Sequence, residues 1–276
     1  MREIELKYLS EYSPWIARLL GLTEFKMQTR DLAKVEAEYN KDKYARLLNY
    51  YKTHQDLTMK DIKDFSLQHY ASSEICVSRD NKLFLANPDE FQQLEDNILL
   101  NTFTELIDNA DAIVELGCGY GYNLMALKAK WPTMTYMGGE YSTNAIELAN
   151  MLFGANVVKY FNFYDAEWPL LEAVSGHIIV FTKHAIEQLP SARETLATLA
   201  KYRGRVSDIV HFEPVYELAD NAMLGLLRQA YTHMNDYNCD LLTAIREIGG
   251  DIQQIYYDLC GRNPLNPTSL IHWRLR

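Results

Sequence analysis

The sequence predicts an α/β fold with a doubly wound, mostly parallel sheet, and two observations carry this prediction. Residues 112–116 form a short apolar run, glycines recur at 117–121, and residues 123–130 repeat apolar positions at helical spacing. Short apolar runs are typical of buried parallel strands, and a helix directly after such a run supplies the crossover that parallel strands need. Strand-like and helix-like segments continue to alternate up to the end of the 276-residue chain.

The turn between the first of these strands and its helix carries Gly117, Gly119 and Gly121. Side chains at this place would block a ligand that lies against the backbone, and a turn with positive φ favours glycine. Exposed amides at the start of the following helix are hydrogen-bond donors for such a ligand. We therefore expect the first unit of a nucleotide-binding fold. A glycine-rich turn without a ligand is the alternative.

The spacing of the glycines distinguishes two kinds of nucleotide site. A dinucleotide fingerprint has its third glycine where this chain has Tyr122, whereas Gly121 comes one residue early. Glu115 also lies two positions before the first glycine. The string E-x-G-x-G-x-G resembles the first motif of class I S-adenosylmethionine-dependent methyltransferases. The resemblance implies S-adenosylmethionine as cofactor, with contacts from Glu115, Gly117, Cys118, Gly119, Tyr120, Gly121 and Asn123.

The predicted second strand, residues 134–142, ends at Glu140, followed by Tyr141. An acid about 20 residues beyond the glycines is suited to an adenosine ribose, because a carboxylate accepts hydrogen bonds from both hydroxyls. The resembled family has an acid with this role at this strand end. We therefore expect Glu140 and Tyr141 to contact the cofactor. A surface glutamate that caps the next helix is the alternative.

A predicted third strand, residues 156–163, leads into Tyr164, Asp165 and Ala166. In the resembled family an acidic residue just after this strand often receives the adenine amino group. The resemblance thus implies that Asp165 binds adenine, with Tyr164 or Ala166 beside the ring. A turn role for Asp165 is the alternative.

Two further strands, at 177–182 and 207–212, are predicted to end in the same crevice. The first ends at Thr182, which we expect to contact the cofactor. His184 and Glu187 follow three residues apart and resemble the family's fourth motif; they could hold a substrate or take a proton. Glu213, after the other strand, is a candidate to bind a substrate amine or act as a base. Lining the cofactor and capping a turn are the alternative roles.

Residues 1–105 are predicted to form a mostly helical cap that selects the substrate, with a small hairpin near 74–86, and residues 106–276 to form the catalytic domain. The resembled family often has substrate-selecting elements before its first strand. Candidate substrate contacts are Tyr12, Tyr39, Tyr44, Tyr216 and Asn263. For any single tyrosine, ordinary packing with the hydroxyl at the surface is the favoured alternative. The last two predicted strands, 251–259 and 269–276, match the antiparallel hairpin that completes the family's seven-stranded sheet.

Composition limits the classes of partner. The net charge of −10 argues against a nucleic-acid surface, which is normally basic. The four cysteines are far apart, without a zinc-binding pattern, and suggest a reducing cytoplasm. The chain start lacks a signal-peptide core, and no apolar run is long enough for a bilayer, so we expect no membrane partner. The sequence leaves the oligomeric state open, a homodimer included.

The sequence therefore predicts an enzyme that moves a methyl group to nitrogen or oxygen of a small molecule or short peptide, as in natural-product tailoring. The Asn-Pro-Pro-Tyr signature of amino-group methylation on nucleic acids is absent, and no metal-ligand set is apparent. A non-catalytic scaffold that binds S-adenosylmethionine is the main alternative. A nicotinamide-dependent oxidoreductase is a further one, against which Tyr122 argues.

Overall fold

The computed structural model describes residues 1–27, 29–68 and 73–275. Its strands form a three-stranded sheet and a seven-stranded sheet. The small sheet contains β1 (Arg2–Ile4), β2 (Ile75–Arg79) and β3 (Lys82–Ala86). The large sheet contains β4 (Ala112–Leu116), β5 (Thr135–Glu140), β6 (Val158–Tyr160), β7 (Ile178–Lys183), β8 (Val206–Glu213), β9 (Gly250–Cys260) and β10 (Thr268–Leu275).

The large sheet confirms the predicted fold class. Its strand order is β6-β5-β4-β7-β8-β10-β9. The first five strands in this order are parallel, and β10 runs antiparallel to both β8 and β9. The strand order reverses beside β4, so the carboxyl ends of β4, β5 and β7 border one crevice, which is where ligands bind in open α/β sheets.

Helices precede the large sheet and connect its strands. Before β4 the α-helices are α1 (Leu9–Tyr12), α2 (Trp15–Leu19), α3 (Leu32–Val35), α4 (Ala45–Thr53), α5 (Met59–Ser66) and α6 (Pro88–Thr104), with a π-helix at Glu36–Tyr44. After β4 they are α7 (Tyr122–Lys130), α8 (Thr143–Phe153), α9 (Pro169–Glu172), α10 (Arg193–Ala200), α11 (Met223–Met234) and α12 (Leu241–Glu247). Short 3₁₀ helices lie at Leu6–Tyr8, Ile107–Asn109, Ile186–Gln188 and Tyr216–Leu218.

Alternate residues of the buried strands face opposite layers, which explains their continuous apolar sequences. On one face, Ile113 and Phe181 contact a cluster that includes Phe103 of α6 and Leu124 of α7. On the other face, Val114 and its neighbours join a cluster with residues of α9, α10 and α12. Helix α6 therefore packs on the large sheet although it precedes residue 105, and the division of the chain at 105 remains a prediction.

The predicted hairpin near residues 74–86 is present as β2 and β3. Its turn residues Asp80 and Asn81 have φ values of 52° and 60°, which suits a two-residue hairpin turn. The sequence did not indicate β1, a strand of three residues that pairs with β3. The buried Asp258 of β9 accepts hydrogen bonds from Ser78 and Asn81 and pairs with Arg228, which fixes the hairpin to the large sheet.

Two other predicted elements differ from the structure. The strand predicted at 156–163 is limited to Val158–Tyr160, because Asn162 starts a turn in which it accepts the Tyr164 amide. The helix predicted at 29–39 begins at Leu32, after an Asp31 cap, and changes into the π-helix at Glu36. The ends of the segments predicted at 58–70 and 269–276 lie outside the described residues. Within the described ranges, no helix has the length and apolar composition that crossing a membrane requires.

Candidate cofactor and acceptor site

The three glycines of the predicted turn connect β4 to α7, and all three have a positive φ, between 54° and 78°. A Cβ atom on Gly117 would collide with the side chain of Ala185, which follows β7. A Cβ atom on Gly119 would lie 2.5 Å from the hydroxyl oxygen of Tyr44. Glycine is therefore required here by backbone conformation and by two close neighbours.

Glu140 lies at the carboxyl end of β5, directly beside this turn. Its Oε2 accepts the backbone N–H of Gly119 at 2.7 Å, and its Oε1 accepts that of Ser142 at 2.8 Å. Burial raises the pKa of this carboxyl although both amides act in the opposite direction. Ser142, whose hydroxyl oxygen accepts the Ala145 amide, caps α8. Glu140 therefore does not act as the helix cap considered from the sequence.

Glu115 lies inside β4 and is 1 % exposed. Its Oε1 accepts the side-chain N–H of Asn123 at 2.6 Å. Its Oε2 is buried and has no hydrogen-bond partner within the described part of the chain. Burial raises the pKa of Glu115 to about 8, although the Asn123 hydrogen bond lowers it. An oxygen of this kind is available to a ligand that brings its own donor.

A cleft with about 760 Å³ of free space lies between the glycine turn, the ends of β5 and β6, and the loop after β7. Tyr141 and Tyr164, both predicted cofactor contacts, line it together with Asn162, Phe163 and Leu189. Asn162 is therefore a polar side chain in this cleft that the sequence analysis missed. Asn162 was not predicted as a site residue because β6 is shorter than expected, so that the turn after it begins earlier.

Asp165 and Ala166 are not among the residues that line this cleft, and their contacts with adenine remain a prediction. The backbone N–H of Asp165 donates to the Asn162 carbonyl, and its own carbonyl accepts the indole N–H of Trp168. The carbonyl of Ala166 accepts the Lys201 ammonium at 2.8 Å. Both residues belong to the turn that leads to α9, as the alternative interpretation of Asp165 proposed.

The contact of Thr182 with the cofactor likewise remains a prediction. Its hydroxyl is hydrogen-bonded to Nδ1 of His211 on the neighbouring strand β8 at 2.9 Å, and it lines neither cavity of the site. His211 is a buried core residue, as expected, and its ring stacks on Trp273. This burial lowers its pKa to about 3.

The π-helix Glu36–Tyr44 covers the glycine turn. Tyr39 and Tyr44 line the cleft from this helix, as predicted for the cap, and the Tyr44 ring contacts that of Tyr120 edge to face. Asn40 attaches the helix to the start of α8, since its Oδ1 accepts from the Ser142 hydroxyl at 2.7 Å and from the Asn144 amide at 3.0 Å. π-Helices are rare and frequently occur at functional sites.

The other predicted substrate contacts have different surroundings. Asn263 lines a second, larger cavity of the site, which holds about 1450 Å³ of free space and opens on the other side of the glycine turn. Tyr12 lies outside both cavities, at the end of α1 and beside Trp15 and Cys76. The Tyr216 hydroxyl is hydrogen-bonded to Nε2 of His233 at 3.0 Å, away from the site. Tyr12 nevertheless shares its pocket with Arg262 and Asn263, which also line the larger cavity. The substrate contacts of Tyr12 and Tyr216 remain predictions.

His184 and Glu187 form an ion pair between the two cavities. Nδ1 of His184 lies 3.3 Å from Oε2 of Glu187, and Nε2 is hydrogen-bonded to the Thr268 hydroxyl at 2.7 Å. Gln188 and Asn266 donate to the same carboxylate. Burial lowers the pKa of His184, but the Glu187 carboxylate outweighs this effect, so the pKa is raised. The pKa of Glu187 is lowered, because His184 and the two amides outweigh burial.

Glu213 holds the loop that carries this pair. Its carboxylate accepts the backbone N–H groups of Ala185 at 3.0 Å and Ile186 at 3.2 Å, and it is fully buried. Burial raises the pKa of Glu213 to about 7, and the nearby Glu187 adds to this effect. Glu213 is not among the residues that line the two cavities, and its contact with substrate remains a prediction.

The larger cavity also contains charged residues that the sequence analysis missed. Lys63 of α5, Lys183 at the end of β7 and Arg262 after β9 line it together with Glu95 of α6. These four residues come from four elements, and neither their spacing nor a motif relates them. The folded chain alone brings them together.

No family model matches the chain, and no curated protein matches it in sequence. The mitomycin 7-O-methyltransferase MmcR has a similar structure, with a TM-score of 0.51 and 11% identity over 96% of this chain and 69% of that protein. Magnesium protoporphyrin IX methyltransferase (ChlM) from Synechocystis PCC 6803, solved with bound S-adenosylhomocysteine, has a TM-score of 0.50 and 11% identity over 88% of this chain and 100% of that protein.

The fold of this chain is thus that of the class I S-adenosylmethionine-dependent methyltransferases. The resemblance seen in the sequence agrees with the strand order of the large sheet, its antiparallel final hairpin and the conformation of the glycine turn. Because the identity to these two solved structures is only 11%, their similarity establishes the fold alone. The activity has to be argued from the site.

Proposed function

We propose that the chain binds S-adenosylmethionine and transfers its methyl group to nitrogen or oxygen of a small molecule or short peptide. The observation that carries this proposal is the pair of buried carboxylates at the glycine turn. Glu140 is bonded to the Gly119 amide at 2.7 Å, and Glu115 has an oxygen without a partner among the described residues. A nucleoside with an amino-acid tail presents hydroxyl donors to the first carboxylate and an ammonium to the second.

The residues present fit such a cofactor. In this proposal Glu140 binds the ribose, and the aromatic cleft with Asn162 and Phe163 receives the adenine ring. Glu115 faces the amino group of the methionine part, which would favour its ionised form. The backbone at Gly117 and Gly119 leaves room for the chain that connects these groups.

The bound cofactor supplies a methyl group that is already activated by its sulfonium charge, so the protein mainly has to align the acceptor and exclude water. Alignment alone contributes ~7–11 kcal/mol to barrier reduction in favourable cases. Tyr39 and Tyr44 line both cavities. Their ring faces favour a nearby cation, and the helix that carries them closes the site.

His184 is the proposed base for an acceptor that must lose a proton. It lines both cavities, so it lies where cofactor and acceptor would meet. Glu187 orients the ring through Nδ1, and Thr268 contacts Nε2. Because the pKa of His184 is raised, the rate should increase with pH as the ring becomes neutral. Glu213 acts through the backbone of this loop and is a positioning residue.

A non-catalytic scaffold that binds the cofactor and a nicotinamide-dependent oxidoreductase are the competing functions. The His184–Glu187 pair between two cavities favours turnover over a scaffold. Tyr122 begins α7 and donates its hydroxyl to Asp96, so the position of a third dinucleotide glycine has a structural side chain. This observation favours a cofactor without a pyrophosphate.

The test is calorimetric titration with S-adenosylhomocysteine, beside a titration with NADH. We expect micromolar affinity for S-adenosylhomocysteine, about 8 kcal/mol, in the wild type. Gly119→Arg should abolish binding, whereas Gly154→Arg, at a positive φ with open space around it, is the matched control. Binding of NADH instead would replace this proposal with the oxidoreductase.

Once an acceptor is found, the product separates methyl transfer from a related reaction. Methyl transfer leaves S-adenosylhomocysteine. Formation of methylthioadenosine would indicate aminopropyl transfer and would contradict the proposed reaction.

A further inference from the structure

Four basic residues line the larger cavity, in a chain whose net charge is −10: Lys43, Lys63, Lys183 and Arg262. Lys43 interacts mainly with the Glu140 carboxylate, and the other three lie near Glu95. Lys63, Lys183 and Arg262 line this cavity together with Glu95, and their charges lower the pKa of that carboxyl. Arg262 pairs with Glu95 at 2.6 Å, whereas no ion pair of the described residues includes Lys63 or Lys183. One carboxylate therefore faces three positive charges.

The other acidic residues near this cavity do not neutralise its excess positive charge. Glu115 has a pKa of about 8 and is mostly protonated at neutral pH. Glu187 pairs with His184. Asp96, which faces Lys63 from α6, accepts the Tyr122 hydroxyl at 2.9 Å. Lys63 lies over the Tyr122 ring, and burial, together with Lys183 and Arg262, lowers its pKa to about 8.

An unused hydrogen-bonding group occurs in the same place. Nη1 of Arg262 is buried and has no partner in the described ranges, although Nε and Nη2 of the same guanidinium bond to Glu95 and Gln92. Buried polar groups of native proteins normally have partners, so this unpartnered N–H group indicates a ligand with an acceptor oxygen.

We infer that the methyl acceptor carries an anionic group, a carboxylate or a phosphate, which Lys63, Lys183 and Arg262 bind. This inference rests on the proposed function and adds a substrate class to it. The anion would lie beside His184, which lines the same cavity, so that the cation cluster orients the acceptor toward the proposed base. A guanidinium with one free N–H edge and two ammonium groups suits an oxyanion.

The α-carboxylate of the cofactor is a second source of the same chemistry, and the experiment separates the two. Inorganic phosphate is used as the probe, and its binding is followed by phosphorus NMR line broadening. Each titration is run with and without saturating S-adenosylhomocysteine, after binding of that compound has been measured by calorimetry. The proteins are the wild type, Lys63→Met and Lys183→Met. Lys41→Met, at an exposed position outside both cavities, is the matched control.

We expect phosphate to bind while S-adenosylhomocysteine is bound. Lys63→Met and Lys183→Met should each weaken this binding at least tenfold, and Lys41→Met should not change it. The variant proteins remove cations without ion-pair partners, so they should fold, and their melting temperatures check this. Arg262→Lys, which keeps the charge but loses the free N–H edge, should give an intermediate loss.

Two results would overturn the inference and leave the proposed function in place. In one, S-adenosylhomocysteine displaces phosphate, which would assign the cations to the carboxylate of the cofactor. In the other, phosphate does not bind to the wild type that holds S-adenosylhomocysteine. Failure of S-adenosylhomocysteine to bind at all would overturn the proposed function, and the assignment of the anion to an acceptor with it.

Discussion

The carboxylate of Glu140 accepts the backbone N–H of Gly119 at 2.7 Å, across 21 positions of sequence. This hydrogen bond connects the end of β5 to the glycine turn after β4, so the conformation of the turn and the position of the carboxylate depend on each other. The second carboxylate oxygen is held by Ser142 at 2.8 Å. Each oxygen retains a lone pair for a ligand hydroxyl.

We expect Glu140→Gln to weaken binding of S-adenosylhomocysteine about 10- to 100-fold, because hydrogen bonds to charged groups contribute ~1.5–3 kcal/mol. The amide has one acceptor oxygen and faces two backbone donors with it. Calorimetry measures the loss. Glu147→Gln is the control, since Glu147 belongs to a surface ion pair with Lys52. Equal affinity of Glu140→Gln and the wild type would remove Glu140 from the cofactor site.

Cofactor binding should release a proton from Glu115. The pKa of about 8 keeps this carboxyl mostly protonated at neutral pH, and a ligand ammonium beside it would lower that pKa. Affinity should therefore rise between about pH 6 and pH 8. Titrations in buffers of different ionisation enthalpy measure the release.

The side chain in Glu115→Gln still offers an acceptor oxygen to Asn123 but cannot ionise. This variant should therefore release fewer protons than the wild type when it binds S-adenosylhomocysteine. Identical proton release by the wild type and the variant would show that another group titrates. The comparison is needed because burial also raises the pKa of Glu140.

Stability should depend on pH through Glu213. Its folded-state pKa, about 7, exceeds its ordinary value of 4.5, so between these values the folded state binds more protons than the unfolded state. The free energy of unfolding contributed by this group is therefore greatest below about pH 4.5 and falls until about pH 7. Glu213→Gln should flatten this part of the profile in urea unfolding at several pH values. A profile with the same slope in both proteins would contradict the raised pKa.

The Glu187 carboxylate is predicted to raise the pKa of His184. Glu187→Gln removes the charge but keeps hydrogen-bonding groups, so the pKa of His184 should fall. NMR titration of the imidazole signals measures this directly and does not require a known acceptor. His54, exposed and far along the chain, is an internal reference. An unchanged His184 titration would show that the pair seen in the structure does not control its charge.

Asn40 should control how firmly the π-helix covers the site. Asn40→Ala removes the oxygen that accepts the Ser142 hydroxyl and the Asn144 backbone N–H, but the backbone carbonyl of residue 40 can still accept the side-chain amide of Asn144. We expect faster amide exchange over 36–44 and weaker binding of S-adenosylhomocysteine, by about tenfold, since two hydrogen bonds contribute ~1–3 kcal/mol. Asn49→Ala, at an exposed position of α4, is the control. Equal exchange rates in both variants would contradict this role.

The parts of the site that the sequence predicted are local in the chain. Gly117, Gly119 and Glu140 were identifiable because turn conformation and strand end are encoded within a few residues. The end of β6 differs from the prediction because a side-chain turn at Asn162 sets it, which apolar patterning does not register. The sequence also did not indicate the hydrogen bond between the Thr182 hydroxyl and His211 on the neighbouring strand.

The remaining features depend on contacts between distant segments. Lys63, Lys183 and Arg262 meet only because α5, β7 and the loop after β9 converge on one cavity. The strand β1 has three residues, too few to show a period, and its partner is β3, about 80 residues away. The position of Glu213 at the end of a predicted strand identified it as a candidate site residue. Its hydrogen bond with the Ala185 amide joins segments 28 residues apart and could be seen only in the folded structure.

The most direct test of the central claim, a cofactor site at the glycine turn, is a crystal structure of the chain with S-adenosylhomocysteine. We expect the ribose hydroxyls within hydrogen-bond distance of Glu140, the amino group at Glu115 and the adenine ring in the cleft beside Asn162. A ligand bound elsewhere, or in this cleft without contact to Glu140, would contradict it.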